Sequence, residues 1–279
     1  MPVRVRGPRR LLVHLAAALG LALAVPGAAL GERAAPGPAE GASTAVAAAT
    51  YTLNLYGRGD FVAQTNFVQC VGASMQMMLN MIRVENDRTA ATQLDLQNLA
   101  RSTSGQRPDG IVRKGASVRG WTAGLNILGA GPYRTVGTAD IQAALKLAAR
   151  AMRDTNRPVG LLVWRGRHAW VMAGFTATAD PRRTDDFEVI AAIILDPLYP
   201  YGSRTWGPSP RPGAALSVED LGRQFVPRGF RTSLPGGGDA PTTGSPSGTS
   251  AGFPALAGKY VIVMPYVVTR FGRSGHWAS

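Results

Sequence analysis

The chain has 279 residues, 45% of them hydrophobic, and a formal net charge of +13. This composition excludes a disordered or fibrous protein, and a single cysteine excludes both a disulfide scaffold and a zinc site built from several cysteines. The arginines that cause the charge are scattered and do not alternate with aromatic residues, so no nucleic-acid partner is predicted.

The N-terminus has the three parts of a secretory signal peptide. Four arginines lie within residues 4–10, an apolar run follows over 11–25, and small residues occupy most of 26–31. We therefore predict a signal peptide over residues 1–31 and a secreted protein with no membrane contact after cleavage. Residues 32–49 are rich in Ala, Gly and Pro, which predicts a flexible leader.

Residues 50–270 are predicted to form one domain that begins with helices. Apolar residues recur at helical spacing from Cys70 to Ile82, which predicts one helix with a buried stripe. A capping-box-like start at Thr92 predicts a second helix, and the pattern over 139–153 predicts a third. Residues 101–120 are predicted to be turns.

The second half of the domain reads as strands. Apolar runs predict strands over 159–164, 168–176, 187–195 and 259–269, with a tight turn at 165–167 and a loop over 197–216. Ser217 opens a short helix that extends to Phe225. A Gly/Ser/Thr/Pro-rich insertion is predicted over 233–252 and a tail over 271–279. The predicted fold class is α+β, with N-terminal helices packed on a mostly antiparallel sheet.

Cys70 is the first candidate for chemistry, because an exported protein normally pairs its cysteines and this one has no partner in the chain. It lies at the first turn of a predicted helix, where the helix dipole and the free backbone N–H groups favour the thiolate. The alternative is a small buried apolar residue, the role of most free cysteines.

His168 and Asp196 supply a candidate base and its orienting carboxylate. His168 begins one predicted strand, and Asp196 directly follows the next. A hairpin symmetric about Arg182 would place the two residues opposite each other at its open end. A carboxylate there would fix the imidazole tautomer and support its charged form, although a structural polar pair at a strand end is the alternative.

Three side-chain amides precede the cysteine, on Gln64, Asn66 and Gln69. An amide N–H₂ group beside a nucleophile can stabilise an oxyanion, together with the Cys70 backbone N–H. Chemistry alone does not select one of the three.

These motifs in this order resemble the papain-like cysteine peptidases of the C39-like group. The resemblance rests on residues 64–74, 158–163, 167–175 and 195–197, and extends over about residues 60–226. It implies a papain-like fold, with Cys70 as nucleophile, His168 as base, Asp196 as orienting group and Gln64 as oxyanion donor. The chain departs from the group at Val71, since members have Gly directly after the cysteine.

The function predicted from the sequence is hydrolysis of peptide bonds in a peptide or protein substrate, through a thioester acyl-enzyme. The same residues would serve an amidase or a transglutaminase-type acyl transferase. The third alternative is a catalytically inactive domain that binds peptide or cell-wall material. No cofactor and no metal site are predicted, and the oligomeric state does not follow from the sequence.

Overall fold

The structure is a computed structural model that describes residues 50–105, 114–229 and 255–268. The predicted signal peptide, leader, 233–252 insertion and C-terminal tail, with His276, lie outside these residues. The described residues belong to one unit, Ala47–Ser279. Among them, no helix is both long enough and apolar enough to span a bilayer.

Five α-helices and nine β-strands are present in the described residues. The helices are α1 (Cys70–Arg83), α2 (Ala90–Ser102), α3 (Val118–Ile127), α4 (Ile141–Thr155) and α5 (Val218–Gly222). The strands are β1 (Tyr51–Asn54), β2 (Tyr133–Thr138), β3 (Val159–Val163), β4 (His168–Ala177), β5 (Val189–Leu195), β6 (Gly202–Ser203), β7 (Gly207–Pro208), β8 (Ala214–Ser217) and β9 (Tyr260–Pro265). A 3-10 turn, Trp164–Gly166, joins β3 to β4.

Seven of the strands form one sheet in the order β2-β9-β3-β4-β5-β8, with β1 paired to β4. Every pair in this sheet is antiparallel. Strand β4 has three partners: β3 pairs with its first half and β1 with its second half along one side, and β5 pairs along the other side. The predicted α+β class with an antiparallel sheet is therefore confirmed.

Each face of the sheet carries its own apolar core. The first core lies between the sheet and helices α4 and α5, and contains Leu145, Trp170 and Phe225. The second lies between the sheet and helices α1, α2 and α3, and contains Met75, Leu96 and Trp121. The alternation of inward side chains along β3, β4 and β9 divides their residues between the two cores.

The predicted helix at Cys70 and the strands β3, β4, β5 and β9 are confirmed, with ends that differ by a few residues. The capping prediction for α2 is wrong: the N-cap is Thr89, whose side chain accepts a hydrogen bond from the backbone N–H of Thr92. The helix therefore begins at Ala90, before the predicted start.

Two predictions of irregular structure are wrong, and one strand was missed. The turn region predicted over 101–120 contains the start of α3, whose N-cap is Ser117. Strand β2 was not predicted, because its six residues include Arg, Gly and two Thr and show little apolar contrast. The loop predicted over 197–216 contains the short strands β6 and β7 and most of β8. A short strand with few apolar residues forms because neighbouring strands pair with it, so its own sequence pattern does not reveal it.

The β4–β5 hairpin has a different register from the predicted one. Val171 pairs with Leu195, and continuation of this pairing sets Asp196 opposite Trp170, two residues from His168. A displacement of two keeps both side chains on the same face, so they meet diagonally. The hairpin also holds two bulges, an extra residue at Ala173 in β4 and another at Ile190 in β5. These two bulges compensate for each other along the strand pair.

Candidate functional site

Cys70 is the first residue of α1 and is partly exposed. Its backbone N–H has no partner in the described part of the chain, as expected for the first N–H of a helix. The Cys70 side chain lies close enough to His168 to raise the pKa of the imidazole. Cys70 is therefore a partly exposed residue at a helix N-terminus, beside an imidazole.

The imidazole of His168 is 4% exposed and lies against a fully buried carboxylate. His168 Nε2–H donates to Asp196 Oδ1 over 2.7 Å. The same Oδ1 accepts from the backbone N–H of Leu198 at 2.8 Å, which fixes the carboxylate. Because Nε2 is engaged with Asp196, the other ring nitrogen, Nδ1, is the one that remains for Cys70. The structure thus brings three of the four predicted residues together: His168 is hydrogen-bonded to Asp196, and the Cys70 side chain lies beside the imidazole.

The pKa of His168 reflects this environment. Burial acts to lower the pKa, but it is outweighed by the hydrogen bond to Asp196, by the neighbouring Cys70 and by the negative charge on both, which raise the pKa to about 9. The ring is therefore an imidazolium at neutral pH. It can pair with a thiolate and can donate a proton.

Trp164 stacks on the His168 ring, with centroids 4.2 Å apart and planes inclined by 22°. Gln224 holds the tryptophan at two points: Trp164 Nε1–H donates to Gln224 Oε1 at 2.8 Å, and the Trp164 backbone N–H donates to the Gln224 carbonyl at 3.0 Å. The stacked ring restricts rotation of the imidazole and covers one of its faces. Neither Trp164 nor Gln224 is among the site residues predicted from the sequence.

Gln64 lies beside both the cysteine loop and the aspartate loop. Its backbone N–H donates to the Pro197 carbonyl at 2.7 Å. Its side-chain Nε2 donates to the Asn66 carbonyl at 2.9 Å, and the same carbonyl accepts from the backbone N–H of Gln69. The amide nitrogen of Gln64 is therefore held close to the turn that enters Cys70, with one of its two protons still available.

The other two amides are directed elsewhere. The Asn66 side-chain oxygen accepts from the Val68 backbone N–H at 3.0 Å, which stabilises the local turn. The Gln69 side chain is buried, and its oxygen accepts a hydrogen bond from the Thr65 hydroxyl. The geometry therefore favours Gln64 among the three candidates.

Two buried glutamines of α2 support the cysteine loop, and the sequence interpretation missed this role. Gln93 receives a bond from the Thr65 backbone N–H at 2.8 Å and donates to the Ala63 carbonyl at 3.0 Å. Gln97 receives one from the Gly72 N–H at 2.9 Å and donates to the Val68 carbonyl at 3.0 Å. The two glutamines are four residues apart, on the helix face that also carries buried apolar residues. This spacing is the sequence signal that could have identified them.

Val71, the departure from the family pattern, has its side chain in the second core and is 3% exposed. It therefore does not line the solvent side from which a substrate reaches the sulfur. Gly72 takes the close contact with α2, because a Cβ there would lie 2.6 Å from the Gln93 carbonyl oxygen. A glycine is needed at 72, where the two helices touch.

No group of three or more metal-ligating side chains occurs among residues 50–105, 114–229 and 255–268. The chemistry available at the site is that of a thiol, an imidazole, a carboxylate and an amide. Comparisons with known proteins add nothing to this description: no protein-family model, no curated protein and no solved structure matches this chain.

Proposed function

We propose that this chain is an exported, papain-like cysteine peptidase, in which Cys70, His168 and Asp196 form the catalytic triad and Gln64 donates to the oxyanion. The observation that carries the proposal is the 2.7 Å hydrogen bond between His168 Nε2 and the buried Asp196 carboxylate, with Cys70 beside the same imidazole at a helix N-terminus. Each member has the environment that its step needs.

In the first step the Cys70 thiolate attacks the carbonyl carbon of a peptide bond. The carbon–sulfur bond forms, and negative charge develops on the carbonyl oxygen, where the Gln64 amide and the Cys70 backbone N–H stabilise it. The His168 imidazolium then donates its proton to the departing nitrogen, so that the carbon–nitrogen bond breaks with an amine as leaving group. A thioester remains on Cys70.

In the second step neutral His168 takes a proton from water, and the resulting hydroxide attacks the thioester. The carbon–sulfur bond breaks, the carboxylic acid product leaves, and the thiolate–imidazolium pair is restored. Asp196 keeps the ring oriented throughout, because its Oδ1 holds Nε2–H in place. A binding groove without catalysis would not need a buried carboxylate behind an imidazole, which supports an enzyme over a binding domain.

The test compares two rates on the full chain as pH rises from 6.5 to 10. The first is hydrolysis of a mixed pool of quenched-fluorescence peptides, and the second is alkylation of Cys70 by iodoacetamide. We expect hydrolysis to fall above about pH 9, because His168 then loses the proton that the amine needs. Alkylation needs only the thiolate and should not fall over the same interval.

The matched control is Cys70→Ala, which should abolish hydrolysis and leave the thermal midpoint nearly unchanged, because the side chain loses a single sulfur atom. Full hydrolysis by this variant would contradict the proposal. So would a Cys70 that reacts with iodoacetamide only in denaturant, because the thiol of a working site must be accessible in the folded protein.

A further inference from the structure

Two loops border the candidate site at one edge of the seven-stranded sheet. Strand β3 ends opposite the first residue of β4, so residues 164–167 form the turn at that edge. Strand β5 ends and β8 begins at the same edge, so residues 196–213 lie there too. His168 follows the first loop directly, and Asp196 begins the second.

These two loops expose four arginines and no carboxylate. The four, which we call the arginine rim, are Arg165, Arg167, Arg204 and Arg211. Within the described residues, none of them forms an ion pair. The only acid in either loop, Asp196, is buried against His168. Among the residues that the structure describes, the rim is thus a group of positive charges without a paired acid.

The opposite edge of the sheet shows that this is not a general effect of high arginine content. There the loop between β4 and β5 and the second half of α4 carry cations and acids together. Four ion pairs form: Arg153 with Asp180, Arg182 with Asp154, Lys146 with Glu188, and Arg150 with Asp185. Positive charge is balanced at that edge and unbalanced beside the site. The unpaired positive charge therefore lies at the edge of the sheet that carries the candidate site.

The cysteine side of the site is neutral. Residues 61–69 contain no charged side chain, and Phe67 is 84% exposed. The second loop itself forms a shallow, open depression of about 420 Å³, lined by residues of 200–208 that include Tyr201, Arg204 and Pro208. Arg204 is the only charged residue in this lining.

We propose that the substrates of this site are acidic peptides, whose Asp and Glu side chains bind the arginine rim while the peptide carbonyl reaches Cys70. The proposal rests on the proposed function and names its substrate class. Guanidinium groups bind carboxylates through two parallel hydrogen bonds, which gives orientation as well as attraction. A nucleic acid would feel the same charge but offers the thiol no acyl group.

The first experiment uses two quenched-fluorescence peptide libraries that are randomised at the same positions. One draws its polar residues from Asp and Glu, and the other draws them from Asn and Gln, which have the same shape without charge. We expect kcat/KM to be about tenfold higher for the acidic library at low salt, within the range by which steering raises association rates. The difference should shrink in 1 M NaCl, where the screening length is about 3 Å.

The second experiment reverses the charge of arginines in the rim and, as a control, of arginines elsewhere in the chain. Arg165→Glu with Arg167→Glu, and separately Arg204→Glu with Arg211→Glu, should each remove most of the preference for the acidic library. The control is Arg88→Glu with Arg183→Glu, two exposed arginines outside these loops, which changes the net charge equally. The control should keep the preference. Iodoacetamide alkylation of Cys70 shows whether each variant retains the site.

The outcomes separate the two proposals. Equal cleavage of both libraries by the wild-type chain would overturn the acidic substrate and leave the peptidase standing. Cleavage of neither library would overturn both. If a DNA duplex bound at the arginine rim and the two libraries were cleaved equally, the rim would be a surface for polyanions in general. That result would also overturn the proposal. If the rim variants fail to fold, the library comparison on the wild-type chain decides alone.

Discussion

Asp196 shows how strongly one residue of this site depends on another. Its side chain is fully buried, and its second oxygen, Oδ2, has no hydrogen-bond partner in the described part of the chain. His168 is the cation that balances its charge. Removal of the imidazole would leave a buried, uncompensated carboxylate, at a cost of about 3–5 kcal/mol. Substitutions of His168 therefore test folding and chemistry together, and the cleaner probes are Cys70 and Gln64.

Gln64 gives the sharpest prediction about a single side chain. We expect Gln64→Ala to lower kcat about 10²-fold, a loss typical of one oxyanion donor, with the free energy of unfolding little changed. Peptide hydrolysis and urea unfolding measure the two effects. Asn66→Ser is the matched control, because it removes the neighbouring exposed amide N–H₂ group but keeps a side-chain oxygen for the Val68 backbone N–H, and it should leave kcat nearly unchanged. A full rate in Gln64→Ala, with a loss in the control, would assign the donor to Asn66.

The reactive residues could be located from the sequence because their types are rare in the chain. There is one cysteine, and only three histidines, so few combinations can support a thiol and an imidazole. The residues that hold them in place could not be located in the same way. Gln93, Gln97 and Gln224 are ordinary surface types by composition, and only tertiary structure reveals their backbone partners.

At the scale of elements, α2 acts as a support for the start of α1. Its buried Gln97 satisfies the Gly72 N–H and the Val68 carbonyl, which lie on either side of Cys70. Gln97→Ala would leave both groups without a partner. We expect the free energy of unfolding to fall by about 2–3 kcal/mol, the cost of buried unsatisfied polar groups.

The same substitution should lower kcat/KM by about 10- to 100-fold, because a small shift of a nucleophile is costly. Asn98→Ala is the control, since Asn98 is the exposed neighbour on the same helix. It should change neither the unfolding free energy nor kcat/KM by much. A Gln97→Ala variant with wild-type stability and rate would show that α2 does not position the cysteine.

The β4–β5 hairpin explains why the contact between His168 and Asp196 was predicted correctly from a wrong register. The symmetric pairing assumed no bulges, and the strands contain two, at Ala173 and Ile190. Each bulge alone would exchange the faces of the residues beyond it, whereas the pair restores them. Apolar alternation reports the face of a residue but not the number of residues in the turn. The face was therefore predictable and the register was not.

At the scale of the whole molecule, β9 is the strand on which both cores depend. Val261 and Val263 enter one core, and Ile262 and Met264 enter the other. Each is at most 5% exposed, and burial of four such side chains contributes roughly 10 kcal/mol. The net stability of a domain is only about 5–15 kcal/mol, so the contribution lost with β9 is of the same size.

We therefore expect a chain that ends after residue 254 to lose cooperative unfolding and native alkylation of Cys70. Circular dichroism during urea titration measures the first effect, and iodoacetamide labelling the second. A chain that ends after Val268 keeps β9 whole and is the control, which should unfold cooperatively. Cooperative unfolding of the shorter chain would show that β9 is dispensable.

The position of β9 also determines how late in folding the two cores can be completed. It is the last strand of the described chain, yet it lies inside the sheet, between β2 and β3, and until it arrives β2 has no neighbour in that sheet. A chain that is still being synthesised has therefore not completed either core while residue 265 is withheld. Because the candidate site stands on this sheet, the proposed peptidase activity would be delayed until β9 has joined it.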